Sequence, residues 1–163
     1  IDQAAEALEN AGMLGAMVNV GGDVRCFGQR VGGGKWRIGV RSPFDGDPTF
    51  GIIEISSGSV CTSGNYERFF EIDSVRYSHI VDPRTGRPVD KAPSVTVVAP
   101  TATAADAWAT ALSVLGEAGL ELIDKDSGLE AMLIIGGPNN YRLVMTPGFE
   151  KLLAKKPVIS KGE

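Results

Sequence analysis

The chain has 163 residues, 43% of them hydrophobic and 22% charged, with a net charge of −4. This length suits one domain, burying about 70% of the surface its unfolded chain exposes. The acidic balance argues against nucleic acid or an anionic membrane as the main partner. No repeat appears, and no apolar run is long enough to span a bilayer as a helix. Two cysteines, Cys26 and Cys61, are too few for a disulfide framework and too far apart for a zinc knuckle, and are expected to pack as small hydrophobes on strands. No signal peptide is visible; with Ile1 and not Met at its start, the chain is expected to be a processed or truncated product.

Ala4, Ala5, Leu8 and Ala11 recur at helical spacing, and Gly12 ends the pattern as a helix-stopping glycine. Residues 17–20 are predicted as a short buried strand running into Gly21-Gly22-Asp23. Residues 36–40 and 52–56 follow as strands, with a loose turn at Gly32-Gly33-Gly34 and a punctuated loop from Ser42 to Pro48. Ser63-Gly64-Asn65-Tyr66 is read as the turn that opens a hairpin, 66–72 and 75–81 around Asp73-Ser74. In its second strand Val75, Tyr77, His79 and Val81 share one face, with Arg76 and Ser78 on the other. A β-branched strand at 94–99 stops at Pro100. A helix from about 104 to 115, a shorter one over 120–123, a strand pair at 129–135 and 141–145 and a short helix from Pro147 complete the chain. Strands cluster and helices do not alternate regularly with them. The class is therefore α+β, a mainly antiparallel sheet with packed helices.

The only histidine, His79, stands just before Asp82-Pro83-Arg84-Thr85-Gly86. Pro83 fixes its own backbone, Gly86 can be left-handed and Asp82 can bond forward into the turn. A base placed at the end of an element suits proton transfer near neutrality. A half-core histidine beside Val75, Tyr77 and Val81 is the plainer reading; those apolar neighbours would also keep the ring neutral, as a base requires. Asp106 and Thr110, four residues apart, put a carboxylate and a hydroxyl on one side of a helix next to the apolar stripe Ala102, Ala105, Ala109 and Leu112. Such hard oxygens suit magnesium. Equally, Thr103 with Asp106 resembles a capping box, and Thr110 can bond back to a carbonyl. Gly21-Gly22-Asp23 admits a close backbone approach to a ligand or a simple tight turn; its spacing fits no dinucleotide fingerprint, and no Walker sequence occurs. Ser63 has no nucleophile elbow around it.

Four segments, in order, carry a family resemblance: Val18-Asn19-Val20-Gly21-Gly22-Asp23; Thr62-Ser63-Gly64-Asn65-Tyr66; Ser78-His79-Ile80-Val81-Asp82-Pro83-Arg84-Thr85-Gly86-Arg87-Pro88; and Thr101-Ala102 through Ala105-Asp106-Ala107-Trp108-Ala109-Thr110. Over essentially all of its length the chain resembles the C-terminal half of the ApbE-type FAD:protein FMN transferases, flavin transferases with the older label thiamine biosynthesis lipoproteins. The resemblance implies that residues 1–163 are the C-terminal portion of a single ApbE-like, T-fold-like domain whose N-terminal half is missing. It implies Mg²⁺ and FAD, with FMN attached through a phosphoester to a Ser or Thr hydroxyl of a target flavoprotein subunit and AMP released. Asp106 and Thr110 would be metal ligands and His79 the base. His79 and Ile80 would lie against the flavin, with Gly22 and Asp23 as further cofactor contacts. The stretch before Ile1 in that family supplies a main-chain carbonyl to the metal, so this chain alone is expected to be inactive. The full-length parent is expected in the bacterial periplasm on an inner-membrane lipid anchor. An FAD-binding or storage module, and an FAD diphosphatase using water as acceptor, are the alternatives.

Overall fold

Ser94–Ala99 is buried at every position, so both of its faces are covered and the fold builds outward from it. The computed structural model describes residues 1–44, 49–64, 69–73, 75–89 and 91–155, for 75 and 76 the backbone alone. The first half runs α1 (Asp2–Asn10), β1 (Gly15–Val20), β2 (Asp23–Gly28), β3 (Trp36–Arg41), β4 (Thr49–Ile55), β5 (Gly58–Gly64), β6 (Phe69–Ile72) and β7 (Val75–Ser78). The second runs β8 (Val81–Asp82), β9 (Arg87–Pro88), β10 (Ser94–Ala99), α2 (Ala102–Leu115), a 3₁₀ helix (Gly116–Leu122), β11 (Glu130–Ile135), β12 (Arg142–Met145), α3 (Pro147–Leu152) and β13 (Leu153–Lys155).

Six strands form one antiparallel sheet in the order β1-β2-β5-β10-β11-β12, and β13-β4-β3 form a second. The pairs β6-β7 and β8-β9 stand apart. Period-two alternation divides the core between the faces of the large sheet. Val95, Val97 and Ala99 meet Ala102, Ala105, Ala109 and Leu112 of α2. On the opposite face Val60, Val98 and Met132 meet Ile38, Ile53 and Phe149. The six-stranded sheet is thus a middle layer, helix on one side and small sheet on the other, the α+β class read from sequence. Cys26 and Cys61 are free and fully buried on β2 and β5, as expected. Helix α1 ends in a Schellman arrangement: Gly12, at φ 84°, donates to the Glu9 carbonyl at 2.9 Å and Met13 to that of Leu8 at 3.1 Å.

The structure corrects several expectations. β1 is an edge strand, not a buried one, with Val20 59% exposed; a short apolar run does not tell edge from centre. The sequence predicts no range for β2, β5, β9 or β13, although it expects Cys26 and Cys61 on strands. β5 has the sequence Gly-Ser-Val-Cys-Thr-Ser-Gly, turn-like by composition, yet it is a central strand. Its small side chains let α2 come close, with Cys61 Sγ 3.6 Å from the Ala102 carbonyl oxygen. Ser63 and Gly64 therefore belong to a strand, while Asn65 and Tyr66, like 45–48 of the expected loop, lie outside the described residues. α2 starts at Ala102, two residues before the expected 104, and the helix after it is a 3₁₀ turn from Gly116. Among the described residues no helix is long and apolar enough to cross a membrane.

Candidate functional site

The expected alternation around His79 holds with its faces exchanged. Ser78, Ile80 and Asp82 are buried, whereas Tyr77, His79 and Val81 are exposed, and β7 ends at Ser78. The apolar enclosure anticipated for the imidazole is therefore absent. Its backbone is nonetheless well fixed. Ile80 N donates to Ser78 Oγ at 3.1 Å, and Val89 N to the Ile80 carbonyl at 2.9 Å. In the turn Asp82 behaves as read from sequence: its Oδ1 accepts from Arg84 N at 2.9 Å and its carbonyl from Gly86 N at 2.8 Å, with Gly86 at φ 66°. The Arg84 guanidinium closes on the same carboxylate, Nε to Oδ1 at 2.9 Å and Nη2 to Oδ2 at 2.7 Å. These bonds, the guanidinium's first, hold the Asp82 carboxyl down to about 2.

Asp106 and Thr110 both lie on the exposed side of α2, and Thr110 Oγ1 is 3.5 Å from Ser63 Oγ of β5. The plainer explanations for the pair belong to other residues. The N-cap is Thr101, whose Oγ1 accepts from Ala104 N at 3.2 Å, so Thr103 and Asp106 form no capping box. Thr103 Oγ1 donates instead to Asp2 Oδ2 at 2.7 Å, and the back-bonding hydroxyl is Ser113, donating to the Ala109 carbonyl at 2.8 Å. Asp106 and Asp23 share a cleft of about 170 Å³ at the start of α2 with Asp2, Cys61, Ala102 and Thr103. There burial first, then the charge of Asp23 and the thiol's bond to it, then Asp106 and Asp2, push the Cys61 thiol well above its ordinary range. Cys61 is held protonated and is no nucleophile.

Gly22 is elsewhere. Gly21 and Gly22, at φ 66° and 103°, form the two-residue loop of the β1–β2 hairpin, and Gly22 N donates to Asn19 Oδ1 at 3.2 Å. The tight-turn reading accounts for both glycines. Gly22 lines a separate cleft of about 290 Å³ with residues of β1 and β3. His79 and Ile80 line neither cleft. Their turn is hydrogen-bonded to Val89, and the chain then brings Lys91 against Gly116, the residue that caps α2 at its C-terminus. Ala92 joins the core under α2. Among the described residues no three His, Cys, Asp or Glu side chains are grouped to hold a metal. The Asp106 carboxylate with the Thr110 and Ser63 hydroxyls is a set of hard oxygens, and fits a cation that completes its shell with water and phosphate oxygens. Asp2 and Ser63 were not read as site residues. Asp2 carries no local signal, since its partners lie 100 residues away, and Ser63 was read as part of a turn.

This is a fold shared with a flavin transferase. The chain superposes on flavin transferase ApbE from Vibrio cholerae with a TM-score of 0.79 and 33% identity, covering 94% of this chain and 49% of that one. It superposes on the ApbE protein of Thermotoga maritima with a TM-score of 0.82 and 37% identity, covering 93% and 49%. In sequence it is 35% identical over 154 residues to the FAD:protein FMN transferase of Salmonella typhimurium, covering 93% of this chain and 44% of that protein. Residues 1–133 match the model of the ApbE family, and the chain belongs to that family. It spans just under half the length of these relatives.

Proposed function

We propose that this chain is the part of an FAD:protein FMN transferase that carries the base and the metal-binding helix, and that the whole enzyme moves FMN from FAD to a Ser or Thr hydroxyl of a target flavoprotein. The observation that supports this most is the Asp106–Thr110 pair, one turn apart on the exposed side of α2 with Ser63 Oγ 3.5 Å from Thr110 Oγ1. Mg²⁺, when held there, would neutralise diphosphate charge. His79 takes the proton of the acceptor hydroxyl. The hydroxyl oxygen bonds to the FMN phosphorus, the P–O bond to the AMP phosphate breaks, and AMP leaves with the electron pair, so a phosphoester remains on the acceptor. The exposure of His79 leaves its ring accessible to an incoming protein hydroxyl. Ile80, which is buried, offers backbone more than side chain to a flavin. Asp23 shares the cleft of Asp106 and would border the diphosphate.

Because the chain spans under half of its relatives, we hold that transfer needs a polypeptide supplying the rest of the flavin pocket. The test is a chimera in which residues 1–163 replace the matching half of the Thermotoga maritima relative, assayed beside the chain alone with FAD, Mg²⁺ and a target flavoprotein subunit. The chimera should add FMN to the subunit by intact mass and release AMP, and the chain alone should do neither. His79→Ala in the chimera should abolish transfer and keep FAD binding. Robust transfer by the chain alone would refute its incompleteness. AMP with free FMN and no modified acceptor would replace transfer by hydrolysis, and FAD bound without any product would replace it by storage.

A further inference from the structure

Asp2 begins α1, yet its carboxylate closes the N-terminus of α2. Oδ1 accepts from Ala102 N at 2.8 Å, and Oδ2 accepts from Thr103 N at 2.9 Å and from Thr103 Oγ1 at 2.7 Å. The local cap, Thr101, serves only Ala104 N. Two of the amides that a helix start leaves without partners are thus satisfied from another element, by a charge of the sign favoured there. Burial would raise the Asp2 carboxyl, but the bonds from Ala102 and Thr103, with the Arg25 charge, hold it below its ordinary value. Arg25 of β2 stands with Nε 3.9 Å from Asp2 Oδ1 and donates from Nη1 to Ser59 Oγ of β5 at 3.5 Å. One carboxylate therefore joins α1, β2 and α2.

The rest of the interface under α2 holds the axis less firmly, its directional bonds being the long ones of Cys61 Sγ to the Ala102 carbonyl at 3.6 Å and of Thr110 Oγ1 with Ser63 Oγ at 3.5 Å. Ala102, Ala105 and Ala109 fix how close the helix lies to the sheet, but small apolar contacts are non-directional and permit sliding along the axis. Hydrogen bonds to Asp2 are directional and set the axial register. We infer that Asp2 is a positioning residue: it fixes the first turn of α2 so that Asp106, in the same cleft, and Thr110, opposite Ser63, are held at a set height against β5. This rests on the reading above that Asp106 and Thr110 bind the metal.

The test reads amide exchange on the full chain and metal affinity on the chimera described above, with Mn²⁺ as the probe. Amide exchange in the metal-free protein should accelerate at Ala102 and Thr103 by roughly tenfold or more in Asp2→Ala, the scale of lost charge-assisted hydrogen bonds. Mn²⁺ affinity, read by electron paramagnetic resonance, should weaken by about tenfold, the low end for lost supporting contacts at a metal site. Asp2→Asn keeps one acceptor oxygen and should fall between wild type and Asp2→Ala; it also carries the test if the alanine variant does not fold. Thr101→Ala removes the local capping bond and should accelerate exchange at Ala104 while leaving Mn²⁺ affinity unchanged. Unaltered exchange at Ala102 and Thr103 would overturn the inference, as would an affinity loss that Thr101→Ala reproduces. A wild-type chimera that binds no Mn²⁺ would overturn the metal reading itself and the positioning role with it. Intact wild-type binding without an Asp2 effect would overturn only the latter.

Discussion

Replacing Ala105 by leucine probes the close approach of α2 to the sheet, on which the placement of the two oxygens proposed to bind metal depends. Ala105 is 0% exposed, and Cys61 Sγ on the facing strand is already 3.6 Å from the Ala102 carbonyl oxygen. Leucine adds three carbons where no space is open, so the helix must retreat or its neighbours must shift. Overpacking of this kind costs about 1–3 kcal/mol. In a chain of 163 residues each kcal/mol moves Tm by about 2–4 °C, so a fall of about 2–12 °C is expected. Thr110 Oγ1 and Ser63 Oγ, 3.5 Å apart, are at the limit of a hydrogen bond, and a retreat of about 1 Å separates them. Met132→Ala is the matched control: Met132 is also 0% exposed, but on the face away from α2. It should cost about 2–5 kcal/mol through a cavity while leaving the helix in place. Thermal melting by circular dichroism and Mn²⁺ affinity by paramagnetic resonance read the two effects. Both variants should melt earlier, and only Ala105→Leu should bind Mn²⁺ more weakly. Equal losses of affinity, or unchanged melting in Ala105→Leu, would refute the packing argument.

Three further outcomes follow from single groups. The Asp82 carboxyl, at about 2 in the folded protein because Arg84 bonds to it, lies below its unfolded value of about 3.9. The stabilisation it gives is present above that unfolded value and lost as pH falls through about 2, so wild-type stability in urea should decline across that acid window and Asp82→Asn should remove that part of the decline. Burial pushes the Cys26 thiol up to about 11, and Cys61 is raised further by burial and its acidic neighbours; an alkylating reagent at neutral pH should spare both until the protein unfolds, and fast native labelling of Cys61 would contradict the assignment. Gly58 sits at φ 119°, where an added Cβ would be 3.0 Å from the Ala99 carbonyl oxygen. Gly58→Ala should therefore destabilise by about 1–3 kcal/mol in chemical denaturation.

Where the residues themselves carry a physical signal, the fold could be read in advance. The valine run of β10 and the glycine stop after α1 are local, and both match. β5 was hidden because its small side chains serve the approach of α2 and look like a turn when taken alone. Around His79 the alternation was legible, but the covered face was not. Val75, Tyr77 and Val81 make the more hydrophobic face by composition. Burial falls to Ser78, Ile80 and Asp82 because the turn satisfies their polar atoms: Ser78 Oγ accepts from Ile80 N, and Asp82 accepts from Arg84 and Gly86. The Asp106–Thr110 spacing was visible, yet only the structure shows that Thr101 and Ser113 take the capping and back-bonding roles that competed for it, while Thr103 turns to Asp2. Asp2 could not be read at all, since nothing near it in sequence announces a partner across the fold.

His79 is the sole histidine, so its imidazole C–H signals stand alone in a proton spectrum. Titrating Mn²⁺ into the protein therefore reports directly whether an ion on α2 lies within reach of the base. Selective broadening of the His79 signals is expected in wild type and should vanish in Asp106→Ala and Thr110→Val. Sharp His79 signals with Mn²⁺ demonstrably bound through Asp106 would separate the ion from the base and contradict the transfer chemistry built on them.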